Sequence, residues 1–260
     1  MIKMSDWKTK TLKKVKINNP VLIEGMPGIG NVGKIAADLI VEQQKATKIM
    51  TFFSYCLPNS VFVNDENLVE LPKIELFHKK KGKKDFLFLL GDVQPMKEDD
   101  SYRFAHAVLD VAEKYKCKEI VTLGGIGLQE PPKKPKVFCT GNNKDFIKEF
   151  VKLGASNKLY GVVGPIMGIS GLLLGLGKER NIRAAVLLAE TYGHPMHIGL
   201  RGAKELMRIL DEKYKLGVDI KKIEKDLKGF EDELKPKSIH QQELLEHDKG
   251  VIHKDTSYIG

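Results

Sequence analysis

Gly28, Gly30, Gly33 and Lys34, in Gly28-Ile29-Gly30-Asn31-Val32-Gly33-Lys34, are the residues whose spacing most resembles a chemical device. The three glycines satisfy G-x-G-x-x-G between an apolar stretch (21–25) and a helical pattern, as a dinucleotide turn requires. The confirming carboxylate for the ribose is missing, because the next strand pattern ends Phe53-Ser54-Tyr55-Cys56. Gly28, Gly33 and Lys34 also have the spacing of a phosphate-binding P-loop, with Asp92 as its acidic partner. There, Ile35 stands where a Ser or Thr hydroxyl would hold Mg²⁺. Each pattern lacks its decisive member, so the favoured reading is a tight strand–helix turn. No cofactor is expected.

Other residue types suggest chemistry more weakly. Ser170 in Gly168-Ile169-Ser170-Gly171 is similar to a nucleophile elbow, but Leu172 occupies the last glycine's place. A structural serine, capping a helix from Leu172, is expected. Glu24 and Asp92 close two apolar stretches and would do acid–base work if brought together. His194 and His197, with Glu190 and Asp211 nearby in sequence, depart from zinc-site spacings and read as surface or capping residues. No metal site and no catalytic residue are expected.

The elements that must position these residues follow from periodicity. Apolar runs at 21–25, 86–90, 119–123 and 184–190 have the continuous character of strands buried on both faces. Helical spacing covers 31–44, 97–116, 144–152, 172–179 and 199–214, with Asp99, Asp100 or Ser101 as the N-cap of the second. Further strands are read at 15–17, 48–55, 73–78 and 137–140. Residues 60–63 and 68–71, around Asn64-Asp65-Glu66-Asn67, form a hairpin. Strand, glycine-bearing loop and helix alternate at 25–33, 91–95, 124–127, 164–171 and 193. That order implies an α/β fold: a mainly parallel mixed sheet flanked by helices on both faces. Its loops would gather at the carboxyl ends of the strands, forming a crevice bordered by Gly28, Gly30, Gly33, Lys34, Asp92, Gly125 and Gly164. The organisation read from the chain is a lead-in (1–18), a core domain (19–216), a C-terminal helix (217–235) and an extended or mobile arm (236–260).

Composition bounds the function. The 260 residues carry 42% hydrophobic residues, enough for a sizeable core. No run of about 18 apolar residues occurs, so no membrane partner is expected. The first 16 residues are polar and lysine-bearing, without an apolar signal core, which points to the cytoplasm. Cys56, Cys117 and Cys139 read as thiols in a reducing compartment. The net charge of +9 comes mostly from lysine runs at 79–84 and 131–136, which have no interleaved aromatics for base stacking. A solvated surface, with no nucleic-acid partner, is the reading.

In combination the motifs say more than any one alone. Gly25-Met26-Pro27-Gly28-Ile29-Gly30-Asn31-Val32-Gly33-Lys34 resembles the N-terminal signature of the proteasome assembly chaperone family. Leu71-Pro72, Gly91-Asp92-Val93-Gln94-Pro95 and the block from Gly164 to Leu176 are similar in the same order, followed by 184–191. The resemblance implies a phosphorylase/hydrolase-like α/β fold without an established catalytic site. It also implies a homo-oligomer (ring-like, tetrameric or pentameric), a sibling subunit as a further partner, and binding to proteasome α-subunits during assembly of the 20S core particle. In that family a C-terminal hydrophobic–Tyr–any motif can dock between α-subunits. This chain ends Ser257-Tyr258-Ile259-Gly260, with tyrosine third from the end. Tyr258, Ile259 and Gly260 are therefore candidate docking residues in a departed motif, and a tail without a partner is the other reading of the arm. A nucleotide- or nucleoside-binding enzyme or sensor using the glycine loops is the alternative function.

Overall fold

The computed structural model describes residues 7–161, 163–221 and 223. The chain divides into two units, Met1–Asp219 and Ile220–Gly260, and the second contributes only residues 220, 221 and 223 to the described part. The helix read at 217–235 and the arm therefore lie largely outside the described residues.

The first unit runs β1 (Lys8–Thr11), β2 (Val21–Gly25), a single 3-10 turn (Ile29–Asn31), α1 (Val32–Gln43), β3 (Thr47–Phe53), β4 (Phe62–Val63) and β5 (Val69–Glu70). It continues through β6 (Ile74–Lys81), β7 (Lys84–Gly91), α2 (Glu98–Lys114), β8 (Glu119–Leu128) and β9 (Val137–Gly141). It ends with α3 (Lys144–Val151), α4 (Gly168–Glu179), β10 (Arg183–Tyr192) and α5 (Leu200–Tyr214). Among the described residues eight strands form one mixed sheet in the order β1-β3-β6-β7-β2-β8-β10-β9, while β4 and β5 pair only with each other.

The α/β architecture expected from the alternation is present, with its parallel part at the centre. β7, β2, β8 and β10 run parallel, whereas β1, β3, β6 and β9 join antiparallel at the flanks. The apolar runs explain this placement, since every residue of β2 is buried and so is β7 from Asp85 onward. Strands buried on both faces need a helical layer on each. On one face Leu22, Leu87, Leu89, Ile120 and Val186 join a core with Phe104 and Val108 of α2 and Ile169 and Leu173 of α4. On the other, α1 and α5 pack against each other and onto β8 and β10.

Three expectations are corrected. The first strand is Lys8–Thr11, antiparallel to β3 (Lys8 opposite Phe53), not residues 15–17. Val15 and Ile17 instead lean on the core as half-buried side chains. The glycines at 124–127 are not a loop: β8 continues through them to Leu128, paired with β10 from Gly124 opposite Leu188 to Leu128 opposite Tyr192. Pairing with β2 ends at Glu24 opposite Thr122, so β8 and β10 run on as a ribbon beyond it. Helix α2 starts after Lys97, which makes no side-chain cap; Asp99 and Asp100 lie in its first turn, where acidic charge favours the helix dipole.

The ribbon is where the glycine turn lands. A Cβ at Gly33 would stand 2.3 Å from the Leu123 carbonyl oxygen, and one at Gly125 2.4 Å from the carbonyl oxygen of Ile29. A Cβ at Gly28 would meet nothing within 4 Å, and its φ of −166° suits any residue. Gly33→Ala is therefore expected to lose at least about 2 kcal/mol in urea unfolding through overpacking. Gly28→Ala should stay within about 0.5 kcal/mol of the parent.

Candidate functional site at the strand ends

The turn after β2 is built by contacts that use its glycines for packing. Gly30 has φ +60°, and a Cβ there would meet the Thr191 hydroxyl at 2.8 Å. Asn31 N–H donates to the Gly28 carbonyl, closing the 3-10 turn (2.9 Å), and the Gly199 N–H donates to the Gly30 carbonyl (2.8 Å). Thr191 is 2% exposed, and its hydroxyl has no hydrogen-bond partner among the described residues. It is wedged between the turn and the start of α5.

Lys34, the residue a phosphate would need, is paired to carboxylates instead. Its Nζ lies 2.9 Å from Asp38 one turn along α1 and 3.9 Å from Asp92. Burial holds the Asp38 carboxyl above its ordinary range, outweighing the bond to Lys34. Asp92 also accepts the Lys73 N–H (3.0 Å), tying the end of β7 to the start of β6. Lys34, Asp38, Lys73, Glu75 and Asp92 line a cleft of about 120 Å³. Ligand pockets usually measure about 300–1,000 Å³, and the three carboxylates here repel an anion. The geometry is that of a structural turn.

Glu24 and Asp92 do not act as a pair. Glu24 is sealed, with 0% exposure, and its carboxylate accepts the Ser170 hydroxyl (3.0 and 3.3 Å) and the Met26 N–H (3.0 Å). Ser170 thus corrects a further expectation. Helix α4 begins at Gly168, so Ser170 sits inside its first turn; it latches the helix to β2 and does not cap at Leu172. The Ser170 carbonyl in turn accepts the Thr122 hydroxyl (3.2 Å). A carboxylate receiving a hydroxyl proton is half of a nucleophile-activating pair. Here every partner of Glu24 is a fixed group of the protein, and the carboxylate is closed to solvent.

Gln94, which residue spacing did not single out, joins three loops. Its Nε2 donates to the Pro27 carbonyl, and its Oε1 accepts the Ile169 N–H (3.2 Å). It draws the loops after β2 and β7 onto the start of α4. Gly168, at φ +76°, leaves room for it: a Cβ there would be 2.7 Å from the amide oxygen. A lone amide before a proline was the available signal, and it named no partner. Gly164 precedes α4 with nothing within 4 Å of its Cβ position, and Gly125 lies within β8 under the Ile29 carbonyl.

The histidines are not brought to a metal centre. The Tyr192 ring stacks on His194 (5.6 Å) and meets His197 edge-on (5.5 Å). Glu190 accepts the Lys136 N–H, and Asp211 accepts the N–H groups of Gly217 and Val218. Among the described residues no three His, Cys, Asp or Glu side chains gather as metal ligands. Cys117 and Cys139 are buried, which pushes each thiol up to about 12, far from reactive thiolate. No helix among the described residues is long and apolar enough to cross a membrane. Tyr258, Ile259 and Gly260 lie outside the described residues.

A mixed sheet between two helical layers, with its glycine turn packed on a two-strand ribbon, defines a recognisable class of α/β proteins. It is similar to PbaB of Pyrococcus furiosus, an archaeal proteasome activator: 26% identity, 90% of this chain and 99% of that chain covered, TM-score 0.80. PbaA of the same organism, an archaeal homolog of proteasome-assembly chaperone, has the same fold (22% identity, 93% and 96% covered, TM-score 0.75). The Methanocaldococcus jannaschii protein MJ1210 is 28% identical over 262 residues, covering 100% of this chain and 99% of its own. The chain belongs to the PAC2 family, whose pattern matches residues 22–236. The family resemblance read from the sequence is thereby borne out, as is the fold class.

Burial pushes the Glu24 carboxyl up to about 7 from an ordinary 4.5, against the lowering effect of Ser170, Met26 and the Leu123 backbone. The native state thus holds this proton more tightly than the unfolded chain. The associated stability is full below pH 4.5 and is lost as pH rises through about 7. Glu24→Gln should remove that slope. Relative to the parent, the variant's unfolding free energy should rise by about 3 kcal/mol between pH 4.5 and 8 in urea titrations. A constant difference across that range would place the ionised carboxylate in the native state throughout.

Proposed function

We propose that this protein is a non-enzymatic, homo-oligomeric assembly chaperone that binds proteasome α-subunits and promotes formation of the 20S core particle in the cytoplasm. The observation that carries this reading is the PAC2 match over residues 22–236, together with end-to-end similarity to PbaB. The packed glycine turn supports it too, because contacts that would hold a nucleotide are used within the fold. In this reading residues 19–216 build the oligomer and the arm at 236–260 engages the α-subunits through Tyr258 and Ile259. Aromatic and aliphatic anchors in a groove contribute most of such a contact.

A second reading, activation of an assembled proteasome, is favoured by the same similarity, since PbaB is an archaeal proteasome activator. The two separate by timing. A chaperone raises the yield of core particles from free subunits, whereas an activator raises peptide hydrolysis by mature particles.

Immobilised full-length protein is expected to capture purified α-subunits, and the Tyr258→Ala/Ile259→Ala variant to bind about tenfold more weakly or worse. Absence of capture by the parent chain would remove the chaperone role. Capture unchanged in the variant would move the contact from the arm to the core.

A further inference from the structure

The β4–β5 hairpin is an apolar arm that no other described residue covers. Val61 (54%), Phe62 (45%), Val63 (64%), Leu68 (58%), Val69 (68%) and Leu71 (61%) are all exposed. Strands alternate faces, so consecutive exposed apolar residues leave both faces of the arm uncovered. Together they expose several hundred Å², comparable to the largest patch a monomer usually leaves open and to most of one side of a standard interface. The surface continues at the hairpin's base over Tyr55 (63%) and Met96 (81%), which line a cleft of about 520 Å³.

The arm is built, not slack. Asn64 Oδ1 accepts the N–H groups of Glu66 (3.1 Å) and Leu68 (2.9 Å), its Nδ2 reaches Glu70 (3.2 Å), and Asn67 takes φ +62° to close the turn. A two-strand hairpin is marginal alone. An ordered hairpin with two apolar faces is a shape waiting for a protein surface.

Charge identifies that surface. The arm's tip is acidic, and Asp65 and Glu66 form no ion pair among the described residues, in a chain of net charge +9. The hairpin leaves the sheet where β6 begins, beside the end of β7 (Ile74 opposite Gly91). At the other end of the same strand pair, roughly 25 Å away, lies the basic turn between Lys81 and Lys84. Its Lys80 and Lys83 also form no ion pair among the described residues. Acidic arm and basic turn cannot meet within one chain, but they can between two. Hairpin against hairpin would oppose like charges.

We propose that the β4–β5 hairpin binds the basic β6–β7 end of a second copy of this chain, head to tail, so that repetition closes a ring or extends a row. This deepens the homo-oligomer reading above and rests on it.

Sedimentation velocity at micromolar concentration tests it. The full-length parent should sediment as a multiple of 29.2 kDa and Phe62→Ser/Val69→Ser as a single copy. Their circular dichroism should match, because both side chains are exposed, while the variant loses whatever melting temperature assembly adds to the parent. Asp65→Lys/Glu66→Lys should weaken assembly about tenfold, and adding Lys80→Glu/Lys83→Glu should restore it. A parent that sediments as one copy overturns this contact and the homo-oligomer together. An apolar variant that keeps the parent's mass overturns the hairpin contact alone, and failure of the charge swap to restore mass overturns its head-to-tail direction. An apolar variant that keeps its mass but loses α-subunit capture would give the hairpin to that partner and likewise overturn the proposal.

Discussion

The closeness of α1 to the sheet is the constraint on which the rest of the structure depends. At Gly33 the helix approaches the Leu123 carbonyl to a distance that excludes even a methyl group, and a Cβ at Gly25 would stand 2.4 Å from Cβ of Ala37. Because the helix sits that low, the turn leading into it must lie flat on β8 and β10. The ribbon can accept it only where β8 has no side chain, at Gly125. The following α5 then seats against α1, with the Gly199 N–H on the Gly30 carbonyl. One steric fact therefore accounts for glycines in three segments far apart in sequence.

The opposite helical layer is fixed differently. There α4 is held by polar groups, the Ser170 hydroxyl on Glu24 and the Gln94 amide on Ile169 and Pro27. A buried carboxyl is costly unless it is hydrogen-bonded or protonated. The arrangement supplies donors from a helix, a turn and a neighbouring strand, and so sets the position of α4 more narrowly than apolar packing alone would. The glycine turn and this latch adjoin at Met26 and Pro27. The two layers are thus coupled through the residues just after β2.

Much of this was legible from residue pattern. The continuous apolar runs marked the central strands, and Asn64 to Asn67 marked the hairpin, because those features act locally. The failures share a cause as well. Glycines at 124–127 read as a loop since glycine usually breaks a strand; only the Ile29 carbonyl lying over Gly125 explains them. Ser170 read as a cap because its partner, Glu24, is 146 residues away. Lys8–Thr11 carries no apolar alternation, as an edge strand exposed at every residue needs none. Exposure of the hairpin's Val63 and Val69 was equally invisible, because periodicity assigns a strand without saying what covers it.

The distance between Glu24 and Ser170 along the chain also sets an order of events. Contacts of such separation form only after a large loop has closed, and they slow folding. During synthesis the glycine turn emerges first, yet the β10 ribbon and α5 that hold it come some 160 residues later. Until then β2 and α1 have one flank unfinished, with Val32 lacking the Gly199 and Gly202 segment that packs on it. A segment that carries the family resemblance is therefore completed late, when the far half of the domain arrives to close over it.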